Sequence, residues 1–380
     1  MRAVSALLFV LLSHFLASTA FAEPKGFHAL EIGEAAPAFK LPGVDGQDHG
    51  LDDFKDAKLL LVIFTCNHCP TAQAYEARIA QLHADYKDRG VALVAISPND
   101  DQAVRLDELG YTDVGDSFAD MKLRAEERKF EFPYLYDGET QATAAAYGVV
   151  ATPQAFLFDE ARKLRYVGRI DDAEVKEPTK HDARNAIEAL LAGKPVPVER
   201  TRTFGCSTKW AEKRADAEKS LEKWNAETVS LERLDEAALA KLAANDSDKL
   251  LLVNVWATWC GPCLAELPEF VTMNRMYRGR EFELVTISLD ELDQEPQALE
   301  ALKDKKVAAK NFLSAIPDRD RLADVLDKEW AGPLPHTVLI APGGKVLYRH
   351  TGGVEPLAVR RAIVDFLGRT YASREKAKQK

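Results

Sequence analysis

The chain has 380 residues, 50 Lys plus Arg against 60 Asp plus Glu, 46% hydrophobic positions and five cysteines. That length and composition describe a globular protein of two domains, each able to bury its own core, and exclude a small cystine scaffold or a disordered chain. The net charge of -10 offers no basic surface to offset phosphates and argues against nucleic acid as the main partner.

The chain opens with Arg2, an apolar run from Ala3 to Leu12 and a small-residue stretch ending Ala20-Phe21-Ala22. This pattern predicts a secretory signal over residues 1–22, because the run is shorter than the roughly 18 apolar residues of a membrane span. The expectation is an exported, periplasmic protein without stable membrane insertion. In an oxidising compartment thiols serve as permanent staples or as exchangeable pairs. Four cysteines form Cys66-Asn67-His68-Cys69 and Cys260-Gly261-Pro262-Cys263, and Cys206 stands alone. Such short loops remove little unfolded-state entropy, so a redox role is the stronger reading.

The chain repeats itself around these pairs. Lys58-Leu59-Leu60-Leu61-Val62 precedes the first and Lys249-Leu250-Leu251-Leu252-Val253 the second, each a buried-strand run. A helical stripe with Tyr75, Ile79, Leu82 and Tyr86 follows the first pair, and one with Leu264, Leu267, Phe270 and Val271 the second. Second strands are expected at Val91 to Ser97 and Phe282 to Ser288. Thr152-Pro153 and Leu334-Pro335 then open matching hairpins, followed by closing helices near 184–191 and 360–367. The pattern predicts two tandem α/β units, at 27–200 and 229–372. A charged helical linker over 201–228, carrying the segment from Trp210 to Trp224, joins them, and residues 373–380 form a basic tail.

A strand, a Cys-x-x-Cys at a helix start and a later Pro before a hairpin resemble the thioredoxin fold, twice. The fold class expected is therefore α/β with two thioredoxin-like domains, each a mixed sheet flanked by helices. The run from Val253-Asn254-Val255-Trp256 through Trp259-Cys260-Gly261-Pro262-Cys263 to Glu266 resembles exported thiol-disulfide oxidoreductases of the TlpA/ResA type. That resemblance implies cis Pro153 and Pro335, a flanking Trp259, and Glu266 as the acidic residue behind the dithiol. Ile32-Gly33-Glu34, Phe64-Thr65-Cys66-Asn67-His68-Cys69-Pro70 and Gly205-Cys206-Ser207-Thr208-Lys209-Trp210 resemble peroxiredoxin-like (redoxin, AhpC/TSA-like) proteins. The peroxidase signature places Thr or Ser three residues before its reactive Cys. Here Ile63 precedes Cys66 by three, and Ala151 replaces a Cys often found before the Thr-Pro.

A thiolate at a helix N-terminus is stabilised by unpaired amides and the helix dipole. Cys66 and Cys260 are therefore expected as nucleophiles, with Cys69 and Cys263 resolving the mixed disulfides. His68 is expected to make the first pair more oxidising, so that electrons run from the second unit, reducing at its site, to the first. The function read is disulfide exchange with protein thiols and disulfides, needing no cofactor beyond redox-active disulfides. The resemblance points to apocytochrome c or a membrane electron donor as partners. Two alternatives stand beside it: a first-unit thiol peroxidase recycled by the second unit, and a metal-binding module using Cys66, His68, Cys69 and Cys206. Nothing next to Cys206 in sequence would activate it.

Overall fold

The computed structural model describes residues 24–372. The signal expected at 1–22 and the basic tail at 373–380 lie outside the described residues. In chain order the first unit runs β1 (Lys40–Pro42), β2 (Asp48–Gly50), β3 (Leu59–Phe64), α1 (Pro70–Tyr86), β4 (Val91–Ser97), α2 (Phe118–Arg128), β5 (Tyr134–Tyr136), α3 (Ala142–Tyr147), β6 (Ala151–Thr152), β7 (Gln154–Phe158), β8 (Leu164–Gly168), α4 (Asp182–Leu191) and β9 (Cys206–Ser207). After α5 (Arg214–Asn225), the second runs β10 (Glu232–Leu234), α6 (Glu236–Ala244), β11 (Leu250–Trp256), α7 (Gly261–Tyr277), β12 (Phe282–Ser288), α8 (Glu295–Asp304), β13 (Lys310–Ser314), α9 (Arg319–Leu326), β14 (His336–Ile340), β15 (Val346–Thr351) and α10 (Pro356–Leu367).

Each unit is built on one mixed sheet, ordered β5-β4-β3-β7-β8 in the first and β10-β13-β12-β11-β14-β15 in the second. The central strands β3 and β11 pair parallel with the next strand in sequence and antiparallel with the strand after the Pro. Both are buried at every position, as a central strand covered on both faces requires. Side chains alternate across the pleat, so each strand serves two cores. Leu59, Leu61 and Ile63 pack on α1 and α4 through Tyr75, Ile79 and Ile187, while Leu60, Val62 and Phe64 meet Tyr147, Phe156 and Phe158. In the second unit Leu251, Val253 and Val255 meet Leu322, Leu326 and Trp330, and Leu250 and Leu252 meet Phe270, Tyr277 and Ile363.

The expected linker is only partly a linker. Residues 201–210 belong to the first unit: the Thr201 amide bonds Val167 O, β9 pairs antiparallel with β6, and the Lys209 amide donates to Asn99 Oδ1. Backbone groups that need partners find them on this fold, and charge pattern alone does not reveal that. The helix that does connect the units, α5, is tied at both ends. Arg214 pairs with Asp100 of the first unit at 2.6 Å, and the buried Trp224 lies under the Arg278 guanidinium of the second.

The units also meet directly. A 3-10 turn of the first, Leu106–Leu109, lays Leu106 and Leu109 on the core beside Phe270 and Tyr277, and Tyr277 OH donates to Thr112 O in the loop after it at 3.0 Å. Arg369 and Arg361 of the second unit reach the fully buried Asp113, which Arg124 also contacts at 3.1 Å. Burial opposes ionisation of Asp113, but these guanidiniums outweigh it and hold its pKa at about 2.

Candidate active site

The second-unit pair sits where a helix starts. Cys260 is the N-cap of α7, its sulfur accepts from the Cys263 amide at 3.3 Å, and the two form a disulfide. The helix follows because Gly261 and Pro262 fill its first positions, where a Pro loses no intrahelical bond. The Leu334-Pro335 peptide, just before β14, is cis. Glu266, one turn beyond Cys263, is buried; its carboxylate accepts from Asn254 Nδ2 at 2.9 Å and from the Val354 amide at 3.1 Å. Burial outweighs those two bonds and raises its pKa above the usual carboxylate range. Trp259 is 56% exposed, with the Arg319 guanidinium over its ring, so its packing value within the fold is small. His336 is buried, stacked on Trp330, and burial lowers its pKa to about 4, which keeps it neutral.

In the first unit the helix starts at the second cysteine, not the first. Cys69 is the N-cap of α1, with Pro70 at the first helical position, and Cys66 lies in the preceding loop. The strand register shows the same shift. β3 pairs Phe64 with Gln154, the residue after cis Pro153, and β11 pairs Val255 with His336, the residue after cis Pro335. Cys69 follows Phe64 by the same five residues (69 − 64) that separate Cys260 from Val255 (260 − 255). Cys69 is thus the counterpart of Cys260, Ala72 of Cys263, and Cys66 of Ala257. This corrects the expectation that Cys66 takes the helix-start position.

Electrostatics agree with the register. Burial opposes a Cys69 thiolate, but the Cys206 and Cys66 thiols, the His68 charge and the Ala72 amide outweigh it and push its pKa well down. Cys66 is pushed well up, by burial first and then by Cys69 and the Asp116 charge, and its sulfur lies 3.0 Å from Thr152 Oγ1. Asp116 organises the loop: one oxygen accepts the Asn67 and His68 amides at 2.9 and 3.0 Å, the other His68 Nδ1 at 2.5 Å and Asn99 Nδ2 at 2.7 Å. Burial disfavours an imidazolium at His68, yet Asp116 more than compensates and its pKa is raised. When protonated, His68 favours the thiolate beside it.

Cys206 is not isolated in space. Its thiol lies against the Cys66/Cys69 cluster and its amide donates to Cys69 Sγ at 3.3 Å. The four-residue ligand set expected for a metal is not assembled as such. Among the described residues, the donor atoms within 4.8 Å of one another are those of Cys66, His68 and Asp116, and the His68 and Asp116 donors already bond each other. A concavity of about 220 Å³ lined by Arg78, Asp171, His181 and Arg184 contains no thiol, so it is not where this chemistry resides. No motif marks Asp116 or Asn99, and the Thr152-Pro153 motif marks a hairpin without showing that the Thr152 hydroxyl meets Cys66. Cys69 was within reach, since Lys58 to Lys249 spans the same interval as Cys69 to Cys260.

A family profile for the AhpC/TSA family matches residues 32–167 and again 224–349, once on each sheet. The chain belongs to the AhpC/TSA family. Among its relatives in this and neighbouring groups, it is 32% identical over 98 residues to thiol-disulfide oxidoreductase ResA of Oceanobacillus iheyensis, covering 26% of this chain and 47% of that protein. It is also 32% identical over 111 residues to ResA of Bacillus subtilis, covering 27% and 54%. The chain thus spans about half the length of the curated relatives it matches. An uncharacterized conserved protein of Geobacillus kaustophilus is 38% identical with a TM-score of 0.43, over 47% of this chain and 92% of that one. A hypothetical protein of Sinorhizobium meliloti is 35% identical with a TM-score of 0.44, over 48% and 97%.

Proposed function

We propose that this chain is an exported thiol-disulfide oxidoreductase with two unlike sites. The second unit exchanges disulfides with protein partners through Cys260 and Cys263, and the first works through Cys69. The observation that carries the reading is the Cys260–Cys263 disulfide at the start of α7, in the unit whose β14 follows cis Pro335. The reduced Cys260 thiolate attacks a partner disulfide, and Cys263 displaces the partner from the mixed disulfide. Glu266, held neutral over a wider pH range by burial, supplies or removes the proton of the buried Cys263. Trp259 offers the partner an exposed ring, and the chain before Pro335 offers backbone for strand addition. The leader-like residues 1–22 support export to the periplasm, where apocytochrome c or a membrane electron donor are the partners this reading implies. No helix among the described residues is long and apolar enough to cross a membrane.

The test is reduction of a protein disulfide such as that of insulin by the dithiothreitol-reduced protein, with redox titration of each cysteine pair by alkylation and mass mapping. Cys260→Ser is expected to abolish second-site turnover and Cys263→Ser to trap a mixed disulfide on Cys260. Full turnover in Cys260→Ser refutes the assignment. A peroxide as oxidant of the first site is the second reading, supported by the AhpC/TSA family match over residues 32–167, although Cys66 stands three residues before Cys69 where the peroxidase signature places Thr or Ser. Stoichiometric hydrogen peroxide consumption that vanishes in Cys69→Ser is the result expected from that reading.

A further inference from the structure

Three thiols converge on the first-unit site, and disulfide exchange at a nucleophilic Cys69 requires only one resolving partner. We infer that Cys206, rather than Cys66, is the resolving thiol of Cys69, carried on a strand of the chain's own that lies where a partner would bind. This rests on the reading of Cys69 as nucleophile.

Two independent features support it. The first is contact: the Cys206 amide donates to Cys69 Sγ at 3.3 Å and its thiol lies against the same sulfur. Cys206 is half-buried, whereas Cys66 is 2% exposed and engaged with Thr152 Oγ1. The foremost influence suppressing Cys206 ionisation is Cys69 itself, and this influence weakens once Cys69 carries a mixed disulfide. Cys66 instead remains penalised first by burial and by the permanent charge of Asp116.

The second is strand placement. β9 pairs antiparallel with β6, which sets Cys206 opposite Thr152, the residue before cis Pro153. A sheet edge next to the reactive sulfur is where an extended partner adds as a strand. Gly205 makes this approach possible: at φ +142 it suits glycine, and a Cβ there would lie 2.0 Å from Thr152 O. In the second unit, no strand among the described residues pairs with the stretch before Pro335. The first site is therefore occupied by an in-chain stand-in for the partner, while the second is free for a separate one.

The step balances with a low-molecular-weight disulfide, RSSR, as oxidant. Cys69 thiolate attacks one sulfur, the S–S bond breaks, a Cys69–SR bond forms, and the departing thiolate takes up a proton. Cys206 then attacks Cys69 Sγ, its proton passing to the departing RS⁻, and a Cys69–Cys206 disulfide results. Two electrons pass from the protein thiols to RSSR, giving two RSH.

The test treats the reduced full-length mature protein with glutathione disulfide, quenches by alkylation over time and maps disulfide-linked peptides. In the wild type, Cys69–Cys206 is expected as the first intramolecular first-unit product. Cys66→Ser is expected still to give Cys69–Cys206 as its first intramolecular product, and Cys206→Ser to lengthen the life of glutathionylated Cys69 at least tenfold. Gly205→Val, which displaces β9 without removing a thiol, is expected to slow resolution similarly, with circular dichroism reporting the fold. A first product of Cys66–Cys69 in wild type, with unchanged resolution in Cys206→Ser, overturns the inference while leaving Cys69 as nucleophile. Glutathione arriving first on Cys66 or Cys206, or on no first-unit cysteine, overturns the reading of Cys69 and the inference together.

Discussion

Replacing Asp116 by Asn tests whether a buried ion pair, rather than the helix alone, sets the reactivity of the first site. The side chain is fully enclosed and accepts four hydrogen bonds, two of them from backbone amides that hold the Cys66–Cys69 loop. Asn keeps the shape but removes the charge and presents an NH₂ group where one oxygen accepted two donors. Leaving a buried charge without its partner costs about 3–5 kcal/mol. Loss of the proton from His68 limits the damage, so a loss near the lower end, about 3 kcal/mol, is expected at pH 6. The sign with pH follows from both groups. His68 has a raised folded pKa, so its contribution is fully present below its unfolded value of about 6.5 and fades as pH rises through the folded value. Asp116 has a lowered one, so its contribution is present above about 3.9 and fades as pH falls. The difference between wild type and variant is therefore expected to be widest near pH 5–6 and to narrow in alkali. Losing the imidazolium is also expected to raise the Cys69 pKa, because the His68 charge is one of the influences that hold it down. Urea denaturation across pH measures the first effect, and the pH dependence of Cys69 alkylation by iodoacetamide, read by peptide mass, the second. An unchanged alkylation profile in a variant that has lost its stability refutes the electrostatic argument and leaves Asp116 a purely structural residue.

Glu266→Gln is expected to remove a pH-dependent penalty: a carboxyl with a raised folded pKa destabilises the fold as pH rises from its unfolded value toward neutrality. Urea midpoints at pH 4 and 7 are expected to be closer together in the variant, while its disulfide-exchange rate loses pH dependence. Asp113→Ala strips the shared carboxylate from Arg124, Arg361 and Arg369 and is expected to cost about 3–5 kcal/mol, read as a lower unfolding midpoint with loosened contact between the units in hydrogen exchange. Because Asp113 titrates at about 2, the wild-type advantage is expected to persist at pH 4 and to fade only in stronger acid. Trp259→Ala is expected to change stability by less than about 0.5 kcal/mol, since the ring is mostly exposed, yet to weaken trapping of a protein disulfide by Cys263→Ser. Equal trapping with and without the ring removes Trp259 from partner recognition.

The sheets were legible because their central strands are continuous apolar runs, a pattern only a strand covered on both faces explains. Val91–Ser97 and Phe282–Ser288 are strands at the residues their periodicity marks, and α1 buries the stripe of Tyr75, Ile79, Leu82 and Tyr86. The duplication was equally visible, because two copies of one fold need the same apolar and turn residues at the same intervals. The helix start in the first unit was not read from the Cys-x-x-Cys spelling, which is identical whether a helix begins at its first or second cysteine. Pro70 and the strand register decide for Cys69, because Pro fits the first helical position without losing a bond.

The pair of sheets, their order and the two reactive segments thus follow from local periodicity and turn chemistry. Which sulfur is activated, and by which neighbours, depends on contacts that folding makes. Asp116 reaches His68 across 48 residues and Cys206 reaches Cys69 across 137. A thiolate's stability depends on charges and amides within a few ångströms, and nothing in the order of residues along a chain states which distant ones the fold will place there.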